Sequence, residues 1–460
     1  MTGRSSATPW VTGLRLPVPA LLLLLVTSAG LACVLQLKDP VAAEAFLGLV
    51  LPLTGLCCLI LLFGMWIGAA VEFHTAASIL LLLGAALQCL LDPDYGPSLA
   101  RIWWAAGLCG GVSLAGWRWG GYRLCRQQPG LVLALLSMGN LLIYGVLALF
   151  GTTIGGTRAW ISLGDSSIQL TELTKLTTVL YYGLLYTRNP WSASRRFLLA
   201  WAYLLLTGGG LLLLNELGTL LLLLALHLVL CFLFLPQLRY TAINLGGLAG
   251  AGALGTLLLY TCSRLASRQA LAGSATSILV EKAASIWDKL LLRFSLLGNL
   301  DGLDPYGSAY QGIQARNAIL LGGAFGKDGG AYVPVAESDF VFVYLIYRLG
   351  LVFSILTLIL FIWLFAAGIR QYLSARDPLE QGISAAIVCS IFLQFLVMAF
   401  GSTGFFLLTG VPIPFLSRAG TYSIVLGVML LFLLYSGRKQ DLPPLRGSAR
   451  RKTQGGRRYV

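Results

Sequence analysis

Apolar runs long enough to cross a bilayer recur along this chain, and that repetition limits its fold more than any single motif. A hydrocarbon core about 30 Å thick needs about 17 to 25 mostly apolar residues per helix. Such runs can be read near 16–36, 46–70, 75–91, 99–116, 131–150, 170–187, 197–214, 217–235, 245–263, 339–368, 381–400 and 421–436. About twelve spans follow. The runs near 75–91 and 99–116 are the least regular, one being short and the other carrying Gly110, Gly111 and Gly116. Only 11% of the 460 residues are charged, against about a quarter in soluble domains. The fold class is therefore all-α, a polytopic membrane helix bundle. The first run, beginning near Pro17, is read as a signal anchor because so many spans stand behind it.

A formal net charge of +14 raises nucleic acid as a ligand, so the position of the charge decides. Counted from a cytoplasmic N-terminus, the inner loops hold Arg118, Arg123, Arg126, Arg188, Arg195, Arg196, Arg239, Arg370 and Arg376. The tail 437–460 adds Arg438, Lys439, Arg446, Arg450, Arg451, Lys452, Arg457 and Arg458 against the single acid Asp441. This is the positive-inside pattern. It places a multi-pass protein in the plasma membrane with both termini cytoplasmic and needs no nucleic acid. The tail is read as disordered or as lying on anionic lipid headgroups. The nine cysteines show no disulfide framework or metal spacing, and His74 and His227 are isolated. No cofactor is identified, and the sequence does not set a divalent-metal dependence.

The chemistry gathers in segments between spans. Tyr332-Val-Pro-Val-Ala-Glu-Ser-Asp339-Phe-Val-Phe342 carries a polar loop into an apolar run, putting the Asp339 carboxylate at the mouth of a membrane helix. An ionisable group there is costly unless function or a partner retains it. Helix capping is the alternative for Ser338 and Asp339. The glycines and hydroxyls of 151–169 read as an outer loop, with Trp160 as an interfacial anchor. Arg158 in that loop runs against the charge bias, and a guanidinium suits phosphate. Glu172 and Lys175 stand three apart on one helix face, so they pair or face a cavity. Glu216 sits in an Asn-Glu turn on the outer side.

One large extracytoplasmic loop, about 265–338, follows. Its stretch 279–297 mixes Glu281, Lys282, Asp288, Lys289 and Arg293 with apolar residues at helical spacing, which predicts an amphipathic helix along the outer interface. Residues 301–307 are turn chemistry, 309–319 have helix-like composition, and Gly322–Gly330 reads as a flexible hinge. Arg348, nine residues after Asp339, falls on the opposite helix face.

Thr157-Arg158-Ala159-Trp160-Ile161, Gln169-Leu-Thr-Glu172-Leu-Thr-Lys175, Asn215-Glu216-Leu217-Gly218-Thr219 and Ala309-Tyr310-Gln311 occur in this order. Gly322-Gly323-Ala-Phe325-Gly326-Lys327, Glu337-Ser338-Asp339-Phe340-Val341-Phe342 and Thr409-Gly410-Val-Pro412-Ile-Pro414-Phe-Leu-Ser417-Arg-Ala-Gly420-Thr421 follow. The ordered set resembles the SEDS family, the FtsW/RodA/SpoVE group, over roughly 131–436. The resemblance implies a ten-helix core with about two extra N-terminal helices within 1–130. It also implies a peptidoglycan glycosyltransferase that polymerises lipid II on the outer face, usually with a class B penicillin-binding protein. Asp339 then matches the essential aspartate and serves as general base. Arg158 and Lys175 are candidates for the donor pyrophosphate, while Glu172, Glu216, Gln311 and Ser417 shape the cavity.

Leu170 stands where the family usually has proline, Val335 where it has glutamate and Glu337 where histidine is common. Tyr347-Arg348 replaces paired acids, and Arg418-Ala419 replaces tyrosine-glycine. The rival readings are a lipid-linked precursor flippase, whose charges line a translocation path, and a non-catalytic scaffold for a transpeptidase. The topology is testable by cysteine labelling in intact cells. A cysteine at Ser308 is expected to react with an impermeant reagent and one at Ser448 is not, and the opposite pattern overturns the orientation.

Overall fold

Hydrocarbon offers no partner to a free N–H or C=O, so each apolar run closes its own hydrogen bonds as a helix. A computed structural model describes residues 18–164, 166–187, 191–271, 277–295, 297 and 310–438. Its helices are α1 (Val18–Lys38), α2 (Pro40–Trp66), α3 (Glu72–Leu91), α4 (Gly96–Gly116) and α5 (Tyr122–Gln127). Then come α6 (Pro129–Phe150), α7 (Thr171–Thr187), α8 (Ala193–Leu213), α9 (Leu217–Phe234) and α10 (Leu238–Leu271). The last five are α11 (Ile278–Ser295), α12 (Tyr310–Gly322), α13 (Val341–Ser374), α14 (Pro378–Ser402) and α15 (Gly420–Ser436). Nine of the described helices are long and apolar enough to span a membrane: α1–α3, α6, α8–α10, α13 and α14. Three more, α4, α7 and α15, run between the same two ends.

Contacts between distant segments sort those ends. At one, Arg418 pairs with Asp92 at 3.0 Å, Lys38 with Asp328 at 3.8 Å, and the Gln169 amide donates to Thr421 Oγ1 at 3.2 Å. At the other, Arg370 pairs with Glu72 at 2.6 Å, Arg438 with Glu380 at 2.7 Å, and Tyr122 donates to Asp377 at 3.0 Å. Successive spans therefore alternate in direction. Arg118, Arg123, Arg126, Arg195, Arg196, Arg239, Arg376 and Arg438 all lie toward the second end; Arg188 and the tail from Lys439 lie outside the described residues. We call the two the site end and the arginine end.

Burial separates core from lipid face. In α3, 94% of the most apolar window is buried, against 6% in α10, so α3 is central and α10 peripheral. Aspartates start two spans: Asp39 accepts from the amides of Val41 and Ala42, and Asp377 from Leu379 and Glu380. Each is followed by proline, whose missing N–H costs nothing at a first helical position.

Two expectations need correcting. Residues 151–169 are not a loop but a three-stranded antiparallel sheet in the order β1 (Thr152–Ile154), β2 (Thr157–Leu163) and β3 (Ser166–Gln169). Gly155 and Gly156, both at positive φ, make the tight connection of β1 to β2 that right-twisted strands favour. The Gly322–Gly330 segment is not a free hinge either. Gly350 interrupts α13 with φ 88° and ψ 175°, and the loop is stitched into the break. Leu351 and Val352 amides donate to the carbonyls of Gly323 and Ala324 at 3.0 and 3.1 Å, and Lys327 donates to Tyr347 at 2.8 Å. A short buried segment, Val341–Leu349, thus precedes a shaft from Leu351 whose Leu351, Ile355, Ile359 and Ile362 face outward.

Gly350→Ala tests the break. A Cβ there would run into the Ala324 carbonyl oxygen, on a backbone conformation that alone costs about 1–3 kcal/mol for other residues. A clearly lowered melting temperature in detergent is expected, and an unchanged one contradicts the described junction.

Candidate functional site

Asp339 lies two residues ahead of α13, half-buried, where a tight turn delivers the chain to the bundle. It does not cap the helix. Phe340 holds the N-cap position and no side chain caps α13, while Asp339 Oδ1 accepts from Ser338 Oγ at 3.1 Å. On the other side stands Gly410, at φ +68°, where a Cβ would lie 3.3 Å from Asp339 Oδ2. A bare backbone thus leaves that oxygen's flank open. Burial raises the Asp339 carboxyl above the usual aspartate range, Glu337 adds to the rise, and Ser338 and Arg293 oppose it.

The surrounding backbone is held in unusual conformations. Asn215, Val335 and Phe415 adopt φ of 59°, 49° and 68°, which for a β-branched valine is a true outlier. Such strain persists only where neighbours over-determine it. Ser417 is one such neighbour: its Oγ accepts from the Ile413 amide and donates to the Ser338 carbonyl, both at 2.8 Å. Ser417 therefore fixes the turn that carries Asp339. The Glu337 carbonyl accepts from the Arg418 amide at 2.7 Å and from Gln88 Nε2 at 3.1 Å.

Two cations reach this site from α11, the stretch that the sequence pattern reads as an amphipathic helix along the outer interface. Lys289 Nζ donates to the Asn215 carbonyl at 3.0 Å, and Arg293 Nη2 to the Thr409 carbonyl at 3.3 Å. Arg293 feels the charges of both Glu216 and Asp339. Burial pushes Lys289 down to about 8, with Arg293 repelling it and Glu216 pulling the other way. Burial likewise lowers Arg293. The overlooked signal is their spacing: like charges at i and i+4 destabilise an isolated helix, so an outside anion must answer them.

Glu216 precedes α9, where its carboxylate accepts from Thr219 Oγ1 at 3.1 Å. Burial raises its pKa, nearby Glu172 raises it further, and Thr219, Lys175 and Lys289 lower it. Beneath lie Glu172 and Lys175, paired at 2.7 Å with both side chains 2% exposed, and Lys175 also stands 4.6 Å from the centre of the Tyr422 ring. Charges thus follow one another from the bundle interior to the loop: Lys175, Glu172, Glu216, Lys289 and Arg293, Asp339. Arg158 is half-buried at the rim, its Nε donating to the Gly151 carbonyl at 3.0 Å and its amide to Leu214 at 3.0 Å. Gln311 is exposed on the first turn of α12 and, among the described contacts, makes no bond to this group; Ala309 and the turn 301–307 lie outside the described residues. Among the described residues, no three His, Cys, Asp or Glu side chains gather as a metal-ligand set.

The family described as "Cell cycle protein", FtsW/RodA/SpoVE, matches residues 122–441, more than half of the chain. The chain belongs to this family. Stage V sporulation protein E of Bacillus subtilis (strain 168) is 27% identical over 314 residues, covering 66% of this chain and 76% of that protein. The peptidoglycan glycosyltransferase RodA of Mycobacterium bovis is 26% identical over 377 residues, covering 77% of this chain and 67% of its own. The fold is shared with a chain of a peptidoglycan synthase complex that coordinates polymerization and crosslinking. That match has a TM-score of 0.59 at 23% identity over 82% of this chain and all of the other. Thermus thermophilus RodA superposes with a TM-score of 0.54 at 20% identity, over the same 82% and all of its own chain.

Several departures from the FtsW/RodA/SpoVE pattern now have physical partners. The Leu170 amide donates to the Ala159 carbonyl at 3.1 Å, a bond that proline cannot make. Arg348 pairs with Asp328 at 3.4 Å, away from Asp339. Arg418 bonds Asp92 and lies 3.3 Å over the Tyr95 ring, tying the Ser417 segment to the turn between α3 and α4.

The Glu172–Lys175 pair supplies a stability test. Removing one partner of a buried pair costs about 3–5 kcal/mol, whereas replacing both is often near neutral. Lys175→Met is therefore expected to unfold much more readily in detergent, and Glu172→Gln/Lys175→Met to recover most of the loss. Additive losses in the double variant contradict the pairing.

Proposed function

We propose that this protein is a membrane peptidoglycan glycosyltransferase that polymerises lipid II into glycan strands at the site end. The observation that carries this reading is the Asp339 carboxylate: uncapped, half-buried, open beside Gly410 and within the field of Arg293. In the transfer, the acceptor hydroxyl attacks the donor's anomeric carbon and gives its proton to Asp339 Oδ2. The new glycosidic bond forms as the bond to pyrophosphate breaks, with inversion, and the polyprenyl pyrophosphate leaves with the electron pair. A base with a raised pKa accepts that proton more readily near neutral pH.

The leaving pyrophosphate needs cations placed in advance. Lys289 and Arg293 stand one helical turn apart, both within the field of Glu216 and Arg293 within that of Asp339, and we assign them direct phosphate contact. Arg158 at the rim meets the arriving donor. Lys175 acts from below, pairing with Glu172 and offsetting the repulsion between Glu172 and Glu216, and Ser417 keeps the Asp339 turn in register. Gln311 belongs to the loop over which polymer leaves. The orientation follows from the arginine end: it faces the cytoplasm with both termini, and the site end faces outward. A class B penicillin-binding protein is the expected partner, using the strands made here.

Asp339→Asn is expected to insert normally and to lose polymerisation by about 10²–10⁴-fold, the usual worth of a general base. Asp339→Glu is expected to recover little, since the extra methylene displaces the carboxylate by about an ångström. Polymer formation by the purified protein from lipid II, without nucleotide or a second polymerase, is the assay. It also separates the enzyme from a flippase or a scaffold.

A pH series adds a second readout. Asp339 must be ionised to act, and its pKa is raised, so the acid limb of activity lies above the ordinary carboxylate range. The same shift has a stability sign: between the unfolded and folded pKa values the folded state binds more protons, so stability falls as pH rises through that window. Asp339→Asn is therefore expected to melt no lower than the parent at neutral pH. Polymerisation by Asp339→Asn within a few-fold of the parent would return the base to Glu216 or Glu337.

A further inference from the structure

Between α14 and α15 the chain does something costly in a bilayer. Residues 411–417 are buried without helix or strand, and non-helical backbone at membrane depth persists only where protein encloses it and answers its polar groups. The depth is read from Gly84 on α3, where a Cβ would run into the Phe415 carbonyl oxygen. Gly84 lies seven residues short of Leu91, the end of α3, which puts Phe415 about 10 Å below the site end.

Two buried glutamines supply donors that a helix would have supplied itself. From α14, Gln394 Nε2 donates to the Pro412 carbonyl at 2.6 Å. From α3, Gln88 Nε2 donates to the Leu416 carbonyl at 3.0 Å and to the Glu337 carbonyl at 3.1 Å. Gln88 thus joins the buried segment to the turn just ahead of Asp339. We propose that Gln88 is a positioning residue for the glycosyl transfer, fixing where Asp339 stands by tying the Glu337 and Leu416 carbonyls to α3. This rests on the glycosyltransferase reading and extends its machinery to a helix that precedes the matched residues 122–441.

The amide works only one way round. Turned over, Oε1 would face two carbonyl oxygens, lone pair against lone pair. As it stands, Oε1 is buried with no hydrogen-bond partner among the described residues, and an unpaired buried oxygen weakens a fold. The Glu337 carbonyl already accepts from the Arg418 amide at 2.7 Å, so it does not need Gln88 to be satisfied. What that second bond adds is location. It ties the turn that follows Val335, at φ 49°, to the one at Phe415, at φ 68°, and strained turns keep their shape only where neighbours over-determine them. An anchor for such a bond must itself be fixed, and 94% of the most apolar window of α3 is buried. Gly84 and Gln88 stand four apart on one face of that helix, so the close approach and the clamp belong together.

Gln394 divides the consequences. It holds Pro412 from α14, on the side of Thr409, whose carbonyl Arg293 bonds. Losing Gln88 therefore loosens the carboxylate and leaves the cation half of the segment fastened.

Polymerisation of lipid II by the purified full chain, resolved into kcat and KM, tests this. Gln88→Met keeps the length of the side chain and removes the donor. It is expected to lower kcat about 10²-fold, the cost of a misplacement of about an ångström, with KM for lipid II as in the parent. A residue that only fastened helices would lower the melting temperature and spare kcat in the folded protein. Gln88→Asn keeps the amide but draws it back by one methylene; it takes the place of Gln88→Met if that variant does not fold, and the same split is expected. A parent-like kcat in the folded variants, or a loss carried by KM, overturns the proposal and leaves the glycosyltransferase reading standing. A parent that makes no polymer from lipid II sinks both.

Discussion

A charge in a bilayer survives only where another charge or a dipole answers it, and the site end is organised by that demand. Lys175 inside the bundle is answered by Glu172, whose field reaches Glu216. Glu216 draws in Lys289 and Arg293 from a helix that belongs to no span. Arg293 then reaches Asp339. Glu172 repels Glu216, and Lys175 and Lys289 offset that repulsion, so carboxylates and cations at this end depend on one another.

Glycines make the rest of the approach possible. Gly218 lets the Thr409 carbonyl come against α9, and that carbonyl is the one Arg293 bonds. Gly410, the next residue, lies against the Asp339 carboxylate. The backbone from 409 to 417 therefore serves as scaffold for both Arg293 and the Asp339 carboxylate, with Ser417 fastening its far end.

The spans were legible because hydrophobicity over about twenty residues depends on composition alone. Asp339, Glu172, Lys175 and Glu216 were legible because ionisable residues at membrane depth are rare enough to stand out. What escaped depended on long-range contact. Lys289 and Arg293 look like any wetted helix face until Asn215 and Thr409, more than seventy residues away in sequence, are brought beside them. Residues 151–169 read as loop because strands this short carry little periodicity, and their pairing becomes secure only against the Leu214–Asn215 turn. The Gly322–Gly330 segment looked free because its glycines signal freedom, whereas here they admit close approach to a broken helix.

That break at Gly350 has a mechanical side. A long lipid-facing rod tilts as bilayer thickness changes, and a carboxylate fixed to its tip would swing by ångströms with every change in lipid. Here the rod begins below the joint, while the short segment above it is clamped by the 323–327 loop and by Tyr344, whose hydroxyl bonds the Leu90 carbonyl at 3.0 Å. The Asp339 carboxylate is thereby referenced to α3, the most enclosed of the described spans, and insulated from the elastic deformation of the membrane around it.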